Sequence, residues 1–378
     1  MQSPRHHTEF RSENLGTTLH QTVSSSNIVA ASISETKAPD CMTPENSSSY
    51  PFDISLIIVS FNTRDVLRQS LQSVEREQGD LRLEIFVVDN NSHDGSVEMV
   101  EAEFPHIRVL RSQINLGFGA ANNVALELAQ GQYIVLLNSD AFLLPDSLKI
   151  SFQNMNAHQE VGLAGGRLVG RDFSLQPSAR MSPSILSDFL VLSGLAHRFP
   201  KSRFFGRFDR TWADPLQPAE VDWVPGAFSI IRPQALREVG FFDPAFFLYS
   251  EEVDLCRRIQ AAGYKIMYWP DIAIQHIGGE SSRQIRTLEM SSAGAQLIRW
   301  RMRSTLLYYR KHHGARVWMA KMLELAFYRL TALRNRLSSD PSRKERVGIN
   351  RNLVRLMHQA WEDTNGGRVS PPRPWKLD

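Results

Sequence analysis

Three groups of polar residues in this chain are placed where chemistry could be done. Asn138, Ser139 and Asp140 close the run YIVLLNSD, in which Tyr133 to Leu137 are all apolar or aromatic. Such a run suits a strand buried on both faces. A carboxylate at the carboxyl end of a buried parallel strand lies where open α/β sheets bind ligands, and it suits a hard cation on a diphosphate. An ordinary strand followed by a helix cap would read the same way. Asn62 ends the apolar run ISLIIVSF, and Asp89 with Asn90 ends EIFVV. Polar residues recurring at successive strand ends are the pattern of a nucleotide site, not of a cation site alone. The third group is acidic: Glu251, Glu252 and Asp254 follow Ser250 at the start of a helical pattern. The helix dipole favours acids in a first turn, which alone could account for Glu251 and Asp254.

The elements that must position these groups alternate. Strand patterns at 54–61, 84–88, 107–112 and 133–137 are separated by helical patterns at 63–74, 97–104 and 120–128. That alternation predicts a parallel, doubly wound sheet. Gly117 and Gly119 in NLGFGAANN let backbone approach a ligand before a helix. A helix is expected after Pro145, then a strand over VGLAGGRLV. Residues 171–219 have weak periodicity and read as a lid or acceptor loop holding a helix from Ser184 to Leu195. VDWVPGAFSII resumes the strands, LCRRIQAAG completes the acidic helix, and KIMYWP and IAIQHI read as two last strands. His276 closes the second of them.

Residues 1–50 are rich in Ser, Thr, His and Asn and carry little apolar surface, so a disordered leader is expected. From about Glu289 the pattern becomes helical and basic, and the end of the chain, with TNGG and SPPRP, reads as loose. The net charge of +3 does not argue for nucleic acid. Cys41 falls in the polar leader and Cys256 in a helical pattern, which points to a reducing compartment. No apolar run is long enough to span a bilayer, and the first residues lack a secretory core.

Taken together, VSFN at 59–62, VDNNSHDGS at 88–96, NLGFGAANN at 115–123, LLNSDA at 136–141 and the stretch from Gly226 to Ile266, followed by His276 and GGES, carry a resemblance. In this order and spacing, residues 54–313 resemble the inverting family 2 glycosyltransferases with a GT-A fold. They are similar to bacterial rhamnosyltransferases of surface-polysaccharide assembly. The resemblance implies an α/β, Rossmann-like, mostly parallel sheet over 51–288. The nucleotide-sugar half would span about 51–145, the acceptor half about 146–288, and a basic helical extension 289–378. It implies that Ser60, Asn62, Asp89, Asn90, Asn115, Gly117, Asn138 and Asp140 bind the donor. Asp140 and His276 would hold Mg²⁺ or Mn²⁺, with Asn138 where some relatives carry Asp. Glu252 would be the base, supported by Asp254 and Glu251, where Asp is more usual at the base position. Trp223 and Gly226 would face the acceptor, and Arg180 and Arg283 are basic candidates for a diphosphate or a lipid-linked acceptor.

The implied activity is metal-assisted transfer of a sugar from a nucleotide-diphosphate donor, dTDP-rhamnose first, to a lipid-linked or glycan acceptor at the cytoplasmic membrane face. Galactofuranose or glucose transfer is the alternative within the enzyme class, and a non-catalytic nucleotide-sugar-binding module the alternative outside it. Gln296, Arg299 and Trp300 spell QxxRW, a signature of processive synthases. Those enzymes carry membrane-spanning helices, so the spacing is read as coincidence. Between Ala315 and Leu337, Val317, Met319, Met322, Leu323, Ala326, Phe327, Leu330 and Leu333 fall on or near one side, with Arg and Lys elsewhere. That helix could lie on anionic lipid or pack on the catalytic domain.

Overall fold

The computed structural model describes residues 50–278 and 292–371. The leader up to residue 49, Arg283 and most of GGESS lie outside the described residues.

The first half follows the predicted alternation: β1 (Phe52–Ser60), α1 (Arg64–Glu77), β2 (Leu83–Asp89), α2 (Ser96–Glu103), β3 (Arg108–Arg111), α3 (Phe118–Leu126) and β4 (Gly131–Asn138). β1 pairs in parallel with both β2 and β4, and β2 with β3. Ile54, Leu56, Ile57 and Ile58 are fully buried, as a strand covered on both faces requires. The strand ends therefore line up: Ser60 lies beside Asp89, and Val59 beside Asn138.

The second half comprises β5 (Ala141–Leu143), α4 (Ser147–Ala157), β6 (Val161–Val169), β7 (Leu175–Gln176), α5 (Ile185–Leu192), α6 (Leu195–Arg198), β8 (Ala219–Glu220), β9 (Phe228–Ile231), α7 (Pro233–Val239), α8 (Glu251–Ala261) and β10 (Lys265–His276). The sheet order is β3-β2-β1-β4-β9-β6-β10-β5. β9 runs antiparallel to β4 and β6, and β5 antiparallel to β10, so the sheet is mostly parallel but mixed.

Two readings of the strands need correction. VDWVPGAFSII is a strand only from Phe228, because Pro225 and Gly226 interrupt it; Trp223 instead bridges Arg180. KIMYWP and IAIQHI form one strand whose register shifts between Trp269 and Ala273. Pro270, lacking an N–H for the ladder, sits at that bulge.

The C-terminal helices are α9 (Ser292–His313), α10 (Val317–Arg336) and α11 (Pro341–Asp363). One face of the sheet is covered by α1, α2 and α4 through Leu67, Leu71, Val100 and Met155. The other core joins Ala121 of α3, Val253 and Ile259 of α8, Met302 and Leu306 of α9, Leu325 of α10 and Met357 of α11. The basic extension is thus part of the same core. Nor is TNGG loose: Thr364 is fully buried, and a Cβ on Gly367 (φ 80°) would lie 2.3 Å from the Leu306 carbonyl oxygen.

Candidate active site

Two clefts open at the carboxyl ends of the parallel strands. The first, of about 330 Å³, is lined by Asn90, Asn115, Gly117, Asn138, Asp140 and His276 among others. Asn90 is consumed in building it. Its side-chain amide donates to the Gly117 carbonyl at 2.8 Å, and its Oδ1 accepts the Leu116 N–H at 3.0 Å. Asn115 Oδ1 accepts the Gly117 N–H at 2.9 Å. Gly117 itself is demanded by close approach: with φ at 81°, its added Cβ would fall 1.9 Å from the Phe247 carbonyl oxygen.

Three of the expected donor residues stand behind this wall. Ser60 is fully buried with its hydroxyl 3.0 Å from that of Thr63, so its neighbours Val59 and Phe61 line the cleft instead. Thr63, which precedes α1, is thereby occupied, and Asp94 Oδ2 accepts the Arg64 N–H at 2.8 Å. Asn62 adopts a left-handed φ of 52° and accepts the His93 N–H at 2.8 Å. Asp89 accepts the Ser92 N–H at 3.0 Å through Oδ2, while its buried Oδ1 finds no partner among the described residues.

β4 and β10 bring Asp140 and His276 together, with Asp140 Oδ1 3.5 Å from His276 Nε2. Gln176, unrecognised in the sequence, holds the ring. Its Nε2 donates to the His276 carbonyl at 2.8 Å, so its Oε1 faces Nδ1 at 3.0 Å. With Nδ1 turned to Oε1, Nε2 is directed at the carboxylate. Two ligand atoms about 2.1 Å from one octahedral ion stand roughly 3 Å apart, so this pair fits a divalent cation. Among the described residues no third His, Cys, Asp or Glu joins them, so the other ligands would come from diphosphate and water.

The second cleft, about 610 Å³, shares Tyr249 and His276 with the first and is lined by Arg180, Asp188, Trp223, Glu252, Arg301 and Tyr309 among others. Glu252 enters it from the first turn of α8, which the chain reaches through two successive left-handed residues, Tyr249 (φ 72°) and Ser250 (φ 68°). Such backbone costs about 1–3 kcal/mol per residue and persists only where neighbours hold it. Here the Phe118 N–H donates to the Phe247 carbonyl at 3.1 Å, and the Ser304 hydroxyl to the Leu248 carbonyl at 2.7 Å.

Burial raises the pKa of Glu252, opposed by backbone hydrogen bonding and by the Arg180 charge. Burial raises Glu251 further, with the Glu252 charge adding to it. One oxygen of each carboxyl has no partner among the described residues. Two adjacent carboxyls in this setting resist carrying two charges at once, and burial favours the neutral form of each. Glu251 does not line either cleft.

Asp254 is a correction. It is fully buried, and its carboxylate is taken by His312 Nε2 at 2.7 Å, Lys311 Nζ at 2.7 Å and Arg258 Nε at 2.8 Å. Burial pushes its pKa up, but these three partners outweigh burial and bring it down to about 2. It ties α8 to α9 and does not reach a cleft. Gly226 also stands back, its Cα facing the Phe118 ring, and the adjacent Pro225 lines the cleft instead. Trp223 does line it: the indole N–H donates to the Met181 carbonyl at 2.9 Å, and the Arg180 guanidinium lies 5.0 Å from its ring. Arg180 also pairs with Asp209 at 3.2 Å.

Helix α9 roofs both clefts, with Leu297 and Trp300 over the first and Arg301, Tyr308 and Tyr309 over the second. Trp300 packs on Phe247 with ring centres 4.8 Å apart, while Arg299 of the same QxxRW spacing pairs with Asp363 at 2.9 Å.

The family profile described as Glycosyl transferase family 2 matches residues 55–254, more than half of the chain. Over 207 residues, 51% of this chain, the sequence is 28% identical to the N-acetylglucosaminyl-diphospho-decaprenol L-rhamnosyltransferase of Mycobacterium tuberculosis. That match spans 66% of the mycobacterial protein, just under two thirds of its length. The rhamnosyltransferase WbbL of Escherichia coli K12 is 23% identical over 265 residues, covering 68% of this chain and 92% of that one. Among solved structures, the mannosyltransferase PcManGT from Pyrobaculum calidifontis, in complex with GDP-Man and Mn²⁺, superposes with a TM-score of 0.47 at 17% identity, over 86% of this chain and 91% of that one. The matched segment contains the strand ends of the first cleft and the Glu252 helix start of the second, and the chain belongs to glycosyl transferase family 2.

Proposed function

We propose that this glycosyltransferase moves rhamnose from dTDP-rhamnose to the hydroxyl of a lipid-linked glycan acceptor, with inversion at the anomeric carbon. The observation that carries the reading is the meeting of two clefts at Tyr249 and His276, with Asp140 on one side and Glu252 on the other. The donor diphosphate occupies the first cleft, beside Asp140. The acceptor sugar lies in the second cleft against Trp223. Glu252 takes the proton of the attacking hydroxyl, and Arg180 favours the charged form of Glu252. Attack comes from the face opposite the departing diphosphate, so the new bond has the opposite configuration. Asp140 and His276 would hold Mg²⁺ or Mn²⁺, which when bound offsets the charge of the leaving diphosphate. The two relatives named above carry rhamnosyltransferase in their names, and the mycobacterial one a diphospho-decaprenol acceptor, which favours the same donor and acceptor here.

A panel of nucleotide sugars tests this, read as release of the nucleoside diphosphate with Mn²⁺ present. dTDP-rhamnose is expected to give the fastest turnover. Preference for a galactofuranose or glucose donor would replace the sugar in this reading, and full turnover in excess EDTA would remove the cation from it.

A further inference from the structure

The segment that forms one wall of the second cleft, from Pro183 to Phe208, turns an unusual face outward. Phe189, Phe199 and Phe204 are 45%, 44% and 51% exposed. Between them Arg198, Lys201, Arg203 and Arg207 are exposed as well, and residues 193–208 contain no Asp or Glu. α5 packs against α10. On α10, Val317, Ala320, Leu325 and Tyr328 face the core, and the opposite side carries a second apolar stripe. Met319, Met322, Leu330, Leu333 and Leu337 are each more than half exposed, and Leu337 reaches 77%. At 100° per residue they fall within an arc of about 80°, over about 28 Å of helix. Arg329 and Arg336 are exposed at one margin of that arc. The one carboxylate of α10, Glu324, is turned inward, where it lies 3.4 Å from Arg301.

We infer that the outer faces of α5, of residues 195–207 and of α10 together dock the enzyme on an anionic lipid surface. Contiguous exposed apolar side chains of this extent mark an interaction site. Their setting among exposed cations, with no exposed carboxylate in the 193–208 segment, matches lipid phosphate and acyl chain in charge and in polarity. A protein partner would need acidic side chains around an apolar ridge, whereas a membrane offers both everywhere on its plane. The placement rests on the reading of the second cleft as the acceptor site: docking by its outer wall would hold that cleft at the headgroup level, where a lipid-linked sugar diphosphate presents its hydroxyl.

The test uses the full chain and sedimentation with vesicles. Equimolar phosphatidylglycerol and phosphatidylcholine vesicles should bind the protein at low salt, and pure phosphatidylcholine vesicles far less. Phe199→Ser with Phe204→Ser, and separately Met322→Ser with Leu330→Ser, should each lower vesicle partition by about tenfold or more. Arg198→Gln, Lys201→Gln and Arg203→Gln together should remove most of the salt-sensitive part. None of these side chains lines a cleft, so thermal stability and the slow hydrolysis of dTDP-rhamnose without acceptor should be unchanged. Equal binding to neutral vesicles, or unchanged binding by the variants, would overturn the inference. Binding to a single-stranded oligonucleotide that the serine variants retain would reassign the surface to nucleic acid. If the chain binds anionic vesicles but transfers no sugar, the function proposed above fails and the surface stands. If it transfers sugar but ignores vesicles, the reverse holds.

Discussion

Glu252 depends on its neighbours for the one property a base needs. Burial holds its proton on to a higher pH than an ordinary glutamate, and Arg180 works against burial. Turnover should therefore fall as pH drops through a midpoint above the usual carboxylate range. Arg180→Gln should move that acid limb to higher pH, and Arg180→Lys should leave it in place; a pH–rate profile of each variant checks this. Glu252→Gln should cut turnover by about 10²–10⁴ with donor affinity little changed, measured by equilibrium titration. A collapse of donor affinity instead would make Glu252 a binding residue. A comparable dependence holds across the clefts at His276, whose ring Gln176 fixes at 3.0 Å. Replacing such an outer partner typically weakens metal binding by about 10–100-fold. Gln176→Leu should do so for Mn²⁺, read by direct titration of the ion. Asp140, Glu252 and His276 were legible in the sequence because strand ends and helix starts expose short polar runs after apolar ones. Gln176 was not, since a glutamine in a two-residue strand has no local pattern to announce it.

At the scale of elements, the site is assembled where α8, β10 and α9 cross. Asp254 is the knot: one carboxylate receiving Lys311, His312 and Arg258. Its acidic run made it look like part of the catalytic group; Arg258 lies one helical turn on, but Lys311 and His312 lie more than fifty residues later in the chain, where no spacing rule could reach them. Asp254→Asn removes the buried carboxylate that three part-exposed cations share and should cost about 1.5–3 kcal/mol of stability at neutral pH. The sign of its pH dependence follows from a folded pKa near 2 against an ordinary 3.8. The carboxylate stabilises the fold above the ordinary value, and that contribution is lost as pH falls toward 2. The gap between wild type and Asp254→Asn in denaturant melts should therefore narrow across that window. Strands β1 to β4 and their helices were legible because each is a local period with turn residues between. The antiparallel course of β9 and the continuity of β10 across Pro270 were not, because strand direction and a bulge are decided by neighbours, not by the strand's own residues.

For the whole molecule, the C-terminal helices change the account most. Their basic, Trp- and Tyr-rich pattern suggested an appendage, yet Met302, Leu306, Leu325 and Met357 share a core with α8, and Trp300 roofs the first cleft. A chain cut near residue 313 should lose cooperative unfolding, seen as a flattened thermal transition, so truncation cannot separate membrane docking from folding. Among the described residues no helix is long and apolar enough to cross a membrane. The proposed function sets an order of groups: diphosphate at Asp140, anomeric carbon between, hydroxyl at Glu252, with displacement from the face opposite the leaving group. The most direct measurement is the anomeric configuration of the product, read by NMR after turnover of dTDP-rhamnose with a rhamnose acceptor pool extracted from membranes. The two-cleft arrangement predicts a linkage of the configuration opposite to the donor's, formed by the wild type and lost in Glu252→Gln. A product that retains the donor's configuration would contradict it.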